Sequence, residues 1–290
     1  MASEAPVKQR LMECLRELHL PTIREVYEDL VRRAVQETWG YEQLLCELVE
    51  RECQVRQINR TERWLRESNL PLEKSLARFE MKRLPTKVSR QARTLVEGAF
   101  VTARENVLAF GRSGSGKTHL LCGIAQELVR SGRKVLFSPC SLLVQDLLIA
   151  KRDLKLSRYL KRLSTFEVLI IDDLGYVQQS REEMEVLFTL LAERYERGSV
   201  MITSNLPFSK WESIFKDPMT TAAAIDRLVH HSVILELNVA SYRLEQAKGV
   251  QEGDGKDGDA TDMGEASTSP EDDGIDPKSK RKKRRPSGEI

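Results

Sequence analysis

Residues 111–118 read GRSGSGKT, and further along, residues 168–175 read VLIIDDLG. No other feature restricts the fold as much as this pair. The first stretch fits G-x-x-x-x-G-K-[ST], a loop whose glycines let successive backbone N–H groups close around phosphate oxygens. In such a loop Lys117 reaches the β- and γ-phosphates as a point charge, and the Thr118 hydroxyl ligates Mg²⁺. The flanks agree: NVLAF at 106–110 predicts a short buried strand, and KTHLLCGIAQELV at 117–129 an apolar helix. The helix N-terminus then faces the phosphates, where unpaired N–H groups and the helix dipole favour negative charge. The expected nucleotide contacts are Gly111, Arg112, Ser113, Gly114, Ser115, Gly116, Lys117, Thr118 and His119.

The second stretch supplies the other half of the chemistry. Val168, Leu169, Ile170 and Ile171 form a continuous apolar run, as in a strand buried on both faces of a parallel sheet. Asp172 and Asp173 end it, and open α/β sheets bind ligands at the carboxyl ends of their strands. Asp172 is expected to hold Mg²⁺ with Thr118, and Asp173 to orient or deprotonate the attacking water. The two stretches together predict a chain that binds and hydrolyses a nucleoside triphosphate.

A chain of 290 residues, 40% of them hydrophobic, can bury a full α/β core and carry a second module. The formal net charge of +2 conceals a division, because residues 249–290 hold eight Lys/Arg against eleven Asp/Glu. The remainder is therefore modestly basic, which permits a polyanionic partner without requiring one. Cys14, Cys46, Cys53, Cys122 and Cys140 are scattered, odd in number and without a C-x-x-C pair. That pattern suits thiols in a reducing compartment better than disulfides or zinc. The opening MASEAPVKQR lacks an apolar signal core and no stretch approaches membrane-spanning length, so a soluble, intracellular protein with no membrane partner is expected.

Three regions separate. Residues 1–84 read as successive helices: Leu11, Leu15 and Leu18 recur at helical spacing, and Pro21 suits the first turn of the next helix. Leu30, Val31, Ala34 and Val35 continue that helix's apolar face. After Gly40, residues Leu44, Leu45, Leu48, Val49, Ile58 and Leu65 mark a long third helix. Its other face carries Arg51, Arg56, Arg60, Arg63 and Arg66, either a solvated face balanced by Glu50, Glu52, Glu62 and Glu67 or a contact surface. Pro71 and Pro85 bracket a connector, and 88–102 reads as a helix leading onward.

Residues 85–248 alternate strands (106–110, 134–138, 167–171, 199–203, 233–237) with helices near 141–163, 181–197 and 219–230. Such alternation predicts an α/β fold, a five-stranded parallel sheet flanked by helices on both faces. Within it, Lys151, Arg152, Lys155, Arg158, Lys161 and Arg162 form the densest basic patch, read as a phosphate-contacting surface or a solvated helix. Residues 249–290 lack aromatics and are rich in Gly, Asp, Glu, Ser and Lys, which predicts a disordered tail. Its end, KSKRKKRR at 278–285, is a solubilising tail, a weak DNA-adhesion element or a targeting signal.

Beyond the acidic strand come YERGSVMITSN at 195–205, PFSKWESIFKDP at 207–218, AAAIDRLVHHSVILEL at 222–237 and SYR at 241–243. With GKTHL and VLIIDDLGY, these stretches make residues 10–245 resemble the IstB-type AAA+ ATPases. Those are the helper proteins encoded beside the transposase in certain bacterial insertion sequences, related to the helicase loader DnaC and the initiator DnaA. The resemblance implies ATP and Mg²⁺ as ligands and a bacterial cytoplasmic location. It makes Asn205 a polar sensor at the fourth strand, Arg227 an arginine finger for a neighbouring subunit's ATP, and Arg243 a second sensor acting within its own subunit. Two positions depart from the family pattern: Asp173 stands where Glu is usual, and Arg112 where Pro is frequent.

The same resemblance implies a homo-oligomer assembled by ATP around or along duplex DNA. Such an assembly bends the target, presents it to the transposase encoded by the same insertion sequence, and hydrolyses ATP on transposase contact. DNA contacts would be largely to phosphates, hence nearly sequence-independent; Lys151, Arg152, Arg158, Lys161 and Arg162 are the candidates. The N-terminal helices resemble the family's oligomerisation and transposase-contacting region. Two other readings fit the residues: a DnaC-like loader whose N-terminal helices grip a replicative helicase, and a nucleotide-gated DNA-binding regulator with little hydrolysis.

Overall fold

Prolines, glycines and positive-φ turns divide the apolar pattern into elements. The computed structural model describes residues 4–175, 180–211 and 218–242, with side chains from residue 7 and, in the last stretch, from residue 222. The expected tail at 249–290 and Arg243 lie outside the described residues.

The chain opens with α1 (Glu4–Glu17), α2 (Pro21–Gln36) and α3 (Tyr41–Glu67). Leu15, Ile23, Leu30 and Leu48 form their common core, with Leu11, Met12, Tyr27, Trp39 and Leu44 packed at its edge. The apolar faces are wider than the neighbours that cover them. Leu18, Val35, Leu45, Val49 and Ile58, read as core-facing, are all more than half exposed. Along α3, Arg51, Arg56 and Arg63 pair with Glu47, Glu52 and Glu67 one turn away, as on a self-balanced solvated face.

Pro21 occupies the first turn of α2, and the residue before it, Leu20, offers no side-chain cap. The missing acceptor comes from the neighbouring helix. Glu52 Oε2 accepts the backbone N–H of Thr22 at 2.9 Å and of Ile23 at 3.1 Å. Its other oxygen pairs with Arg56 at 2.8 Å, and Arg56 also donates to the carbonyl of His19. One buried carboxylate thus satisfies two of the orphan donors of α2 and pins α2 against α3.

Two 3₁₀ turns, Leu76–Arg78 and Met81–Arg83, carry the chain to α4 (Thr86–Val96) and α5 (Ala99–Ala103). The single helix expected at 88–102 is broken because Gly98 adopts φ 76°.

The remaining elements are β1 (Asn106–Phe110), α6 (Lys117–Arg130), β2 (Val135–Pro139), α7 (Cys140–Arg152), α8 (Leu156–Leu163), β3 (Val168–Leu174), α9 (Arg181–Arg194), β4 (Ser199–Ser204), α10 (Pro218–Val229) and β5 (Ser232–Glu236). The strands form one parallel sheet in the order β2-β3-β4-β1-β5, the predicted five-stranded α/β architecture. Strand bounds differ from the expected ones by a few residues at most, the largest change being β3, which runs on through both aspartates. Alternate residues serve opposite faces: Val107, Ala109, Val168 and Ile170 join the core beneath α4 and α6, while Leu108, Leu169 and Ile171 join the core beneath α7 and α9. The helix expected at 141–163 is two helices, α7 and α8, separated where Leu154 takes φ 57°.

Arg194 ties the edges of these layers together. Its guanidinium is buried and donates to the carbonyls of Leu163, Phe166, Glu167 and Ser199 at 3.0–3.1 Å. Burial pulls its pKa down to about 10, still far above neutrality, so it stays charged. Carbonyls from the end of α8, the segment leading into β3 and the start of β4 thereby meet at one cation.

The Glu52 contact predicts how the helical region responds to acid. Burial raises the Glu52 pKa, but the Arg56 hydrogen bond and the Ile23 and Thr22 amides outweigh it, leaving the carboxyl below its ordinary value. A depressed folded-state pKa contributes stability that is present above the unfolded value and lost as pH falls through the folded one. Glu52→Gln is therefore expected to cost about 1–2 kcal/mol at pH 7 and progressively less as Glu52 is protonated on acidification. Paired urea titrations of wild type and variant between pH 7 and pH 3 measure this; a pH-independent difference would contradict it.

Candidate active site

The loop after β1 folds as the spacing requires. Gly114 and Gly116 adopt φ 80° and 90°, conformations that side-chain-bearing residues rarely take, and Ser115 N–H bonds back to the Arg112 carbonyl at 3.2 Å. A Cβ on Gly114 would lie 2.1 Å from the Ser241 Oγ. The chain after β5 therefore packs directly on this loop, with Tyr242 N–H donating to the Gly114 carbonyl at 3.1 Å.

Lys117 opens α6 and is 5% exposed, its ammonium donating to the carbonyls of Gly111 (2.8 Å) and Arg112 (3.0 Å). A buried ammonium at the head of α6, inside a glycine-turned loop, is the cation such a loop offers to phosphate oxygens. The Ser115 hydroxyl is buried there with no hydrogen-bond partner among the described residues, leaving an unused donor.

Thr118, on the next residue of α6, donates to Asp172 Oδ1 at 2.8 Å. The same oxygen accepts the Thr203 hydroxyl at 2.6 Å, and the Thr203 oxygen accepts the Asp173 amide at 2.8 Å. One chain of hydrogen bonds thus links α6, β3 and β4. It lies at an irregularity in the pairing of β3 with β4 between Ile171 and Leu174, where Asp173 takes φ 61°. That backbone turn breaks the strand's alternation. It leaves Asp172 half-buried against the loop and Asp173 exposed beside it.

Above these residues is a cavity of about 520 Å³. Ser113 through His119, Asp173 and Asn205 line one side. Lys74, Phe79, Glu80, Arg83 and Tyr242 line another. Such a volume accommodates a nucleotide.

The cavity gathers most of the expected site. Gly111 and Arg112 contribute carbonyls to Lys117 and do not line the wall, and the Arg112 side chain is exposed. Asn205 lies just past β4, on the wall with Asp173, while Thr203 makes the bonds to the aspartates. Arg227, on α10, is half-buried with its guanidinium 4.6 Å from the Phe188 ring centre, and its Nη1 has no hydrogen-bond partner among the described residues. Lys151, Arg152, Lys155, Arg158, Lys161 and Arg162 are all exposed on α7, α8 and the turn between them. Lys151 reaches Glu185 at 3.0 Å, and Arg152 and Lys155 reach Asp153.

The sequence points to a polar end of the fourth strand, Thr203 to Asn205, with the sensor role at Asn205; the bonds to the aspartates are made by Thr203. The feature that escaped the sequence reading is the connector at 71–85, which forms a wall of the cavity. His119 Nε2 lies 2.9 Å from the Ser75 carbonyl, Phe79 meets the His119 ring edge-on, and Arg83 lies over the Tyr242 ring. A Cβ on Gly116 would come within 2.9 Å of Phe79, and one on Gly123 within 2.9 Å of Leu76. These two glycines let the connector lie close on α6 and its entry.

Thr118 and Asp172, a hydroxyl and a carboxylate sharing one hydrogen bond beside the phosphate loop, are the oxygen donors a magnesium ion takes. Cys122, buried on the same helix, is no rival ligand: burial, with the nearby Asp172 charge, pushes its thiol up to about 12.

Sequence comparison extends this picture over most of the chain. Residues 13–249 match the family of IstB-like ATP binding proteins. An insertion sequence ATP-binding protein of Sinorhizobium fredii is 41% identical over 239 residues, covering 82% of this chain and 80% of that one. The IS5376 ATP-binding protein of Geobacillus stearothermophilus is 34% identical over 251 residues, covering 87% and 100%. Among solved structures, a crystal structure of DnaI aligns with a TM-score of 0.49 at 23% identity, over 58% of this chain and 94% of that chain. A chain matched over this length, with a phosphate loop, an aspartate strand and a cavity between them, belongs to the IstB-like ATP binding protein family.

Proposed function

We propose that this chain is an ATP-hydrolysing AAA+ helper of a transposase, one that assembles on duplex DNA, deforms it and thereby selects the insertion site. The observation that carries the proposal is the Thr118–Asp172–Thr203 network, whose Thr118 lines one cavity together with Lys117 and Asp173. The relatives' names as insertion sequence ATP-binding proteins support the transposition setting.

In this reading the loop amides and Lys117 bind the β- and γ-phosphates, and Ser115 offers its hydroxyl to them. Magnesium, held by Thr118 and Asp172, would neutralise charge developing on the phosphates. Asp173 accepts a proton from the attacking water, and Asn205, on the same wall, orients it. With a carboxylate one methylene shorter than Glu, the water must sit correspondingly closer to the strand. Phe79 and Tyr242 offer aromatic surface to the base, and Arg243 is the second sensor. Arg227 acts on the nucleotide of a neighbouring subunit. Its guanidinium lies over the Phe188 ring, and its Nη1 has no hydrogen-bond partner among the described residues. Lys151, Arg152, Arg158, Lys161 and Arg162 contact DNA phosphates.

Lys117→Ala is expected to abolish ATP binding, measured by fluorescent-nucleotide titration, and ATP-dependent assembly on DNA with it. Undiminished affinity would overturn the phosphate-loop role.

Arg227→Ala should retain ATP binding and lose most hydrolysis, by analogy with the roughly 10³–10⁵ contributed by an arginine finger in GTPases. Mixed with Lys117→Ala, it should regain activity, because some interfaces then pair an intact arginine with an intact loop. Assemblies shown to be mixed yet inactive would exclude a finger acting in trans.

Replacing Lys151, Arg152, Arg158 and Lys161 with Ala should weaken binding to unrelated duplexes about equally and flatten the slope of affinity against salt, because fewer counterions are released. An unchanged slope, read by fluorescence anisotropy, would mark the patch as a solvated face.

A further inference from the structure

Leu154 occupies the short turn between α7 and α8 with 95% of its surface exposed and φ 57°. Neither circumstance favours leucine. The turn is a helix-ending one, in which Leu154 N–H bonds to the Lys151 carbonyl at 3.1 Å and Lys155 N–H to the Ala150 carbonyl at 2.7 Å. Its left-handed position suits Gly or Asn, because a larger side chain crowds the neighbouring carbonyl. Leucine gains neither conformational ease nor buried area there, so folding gives no reason for it.

The surroundings supply one. Lys151, Arg152, Lys155 and Arg158 stand exposed within four positions of Leu154, and Asp153, the one acid in the turn, lies near Arg152 and Lys155. An apolar tip within a ring of cations is the composition of a groove wedge: cations hold phosphates on either side while the hydrocarbon enters between base steps. Leu154, with the half-exposed Ile149 and Leu142 of α7, offers far less apolar area than the whole amphipathic helix face that anchors a chain at a lipid surface. Duplex DNA, with closely spaced phosphates around a stack that admits one side chain, fits both parts of the feature.

We propose that Leu154 is an apolar wedge that enters a groove of duplex DNA and partly unstacks one base step, while the surrounding Lys and Arg side chains hold the flanking phosphates. This rests on the reading of the basic patch as a DNA contact. The wedge adds deformation to a contact that is otherwise sequence-independent. It gives a preference for steps that unstack easily, the pyrimidine–purine steps TA and CA/TG. It also explains the left-handed leucine, since the turn projects the side chain clear of both helices.

The test uses the full chain with ATP and short duplexes carrying end labels for energy transfer and 2-aminopurine at a TA step. Leu154→Asn suits the left-handed position and removes the apolar tip, so its thermal midpoint should equal or exceed that of wild type. It should lose the 2-aminopurine unstacking signal and the end-to-end shortening, while its affinity changes by less than about tenfold. Leu154→Met, which keeps an apolar tip, should retain both signals. The variant lacking Lys151, Arg152, Arg158 and Lys161 should instead lose affinity on the order of 10- to 100-fold, with a flatter salt slope. If Leu154→Asn unstacks and bends DNA like wild type while the four-cation variant loses affinity, the wedge is overturned and the DNA contact stands. Should the four-cation variant bind as wild type does, the DNA reading of the patch falls and the wedge falls with it. Leu154-dependent binding to anionic vesicles, with DNA deformation unaffected by Leu154→Asn, would assign the tip to lipid and likewise overturn the proposal.

Discussion

The structure turns on one carboxylate oxygen. Asp172 Oδ1 accepts hydroxyls from both Thr118 and Thr203, and through them it fixes the first turn of α6, the end of β3 and the end of β4 relative to one another. Charge-assisted hydrogen bonds of this kind are stronger than neutral ones and directional, which suits them to hold a site's geometry. The carboxylate is also the local negative charge facing an electropositive loop. Any change in the position of Thr118, whether from a ligand at the loop or a shift of α6, is felt at Thr203 and at the Asp173 amide bonded to it. The aspartates and the phosphate loop therefore behave as one unit.

The helical region connects to this unit by more than sequence adjacency. The Ser68 carbonyl accepts the Phe137 N–H at 2.7 Å, joining the end of α3 to β2, and Gln126 on α6 donates to the carbonyls of Pro71, Leu72 and Lys74. The connector then crosses the entry of α6 and presents Phe79 and Arg83 to the cavity. A partner that displaced α3 would pull on the segment that walls the nucleotide cavity. The connector is thus the element that the N-terminal helices and the cavity wall share, and coupling between two sites requires such a shared element.

Much of the fold was legible because the strands are buried on both faces. Continuous runs such as VLII leave little ambiguity in a chain with regular strand–helix spacing, and the phosphate loop carries its chemistry in its spacing. Three kinds of feature were hidden. Helix breaks at Gly98 and Leu154 depend on single left-handed residues, and a leucine there has no sequence signature. The exposed Leu45, Val49 and Ile58 have the right period for a core and simply lack a neighbour to cover them. The capping of α2 by Glu52, the Arg194 bonds to Leu163, Phe166 and Glu167, and the Thr203 contacts join residues 27 to 31 positions apart; such pairings follow from tertiary packing, not local pattern.

Departures from the rules of a well-satisfied fold are informative here because of where they fall. Four buried side-chain atoms among the described residues lack a hydrogen-bond partner: Gln91 Oε1, Ser115 Oγ, Arg194 Nε and Arg227 Nη1. Two have a structural account. Gln91 lies next to β5 and donates to the Ile234 carbonyl, and Arg194 already serves four carbonyls, so one unused atom on each is a small loss beside the bonds made. The other two have none among the described residues. Ser115 lies in the glycine-turned loop after β1, and the half-buried Arg227 of α10 rests on the Phe188 ring of α9. Leaving such groups unsatisfied costs on the order of 1–3 kcal/mol each, and a fold selected only for stability would replace them. Ser115 gains a partner if a phosphate enters the loop, and the role proposed above for Arg227 would give it one too. Asp173, held at φ 61°, adds a local cost on the wall of the cavity that Ser115 also lines. Two of these costs, at Ser115 and Asp173, therefore fall on the wall of the cavity, where the proposed nucleotide would offset them.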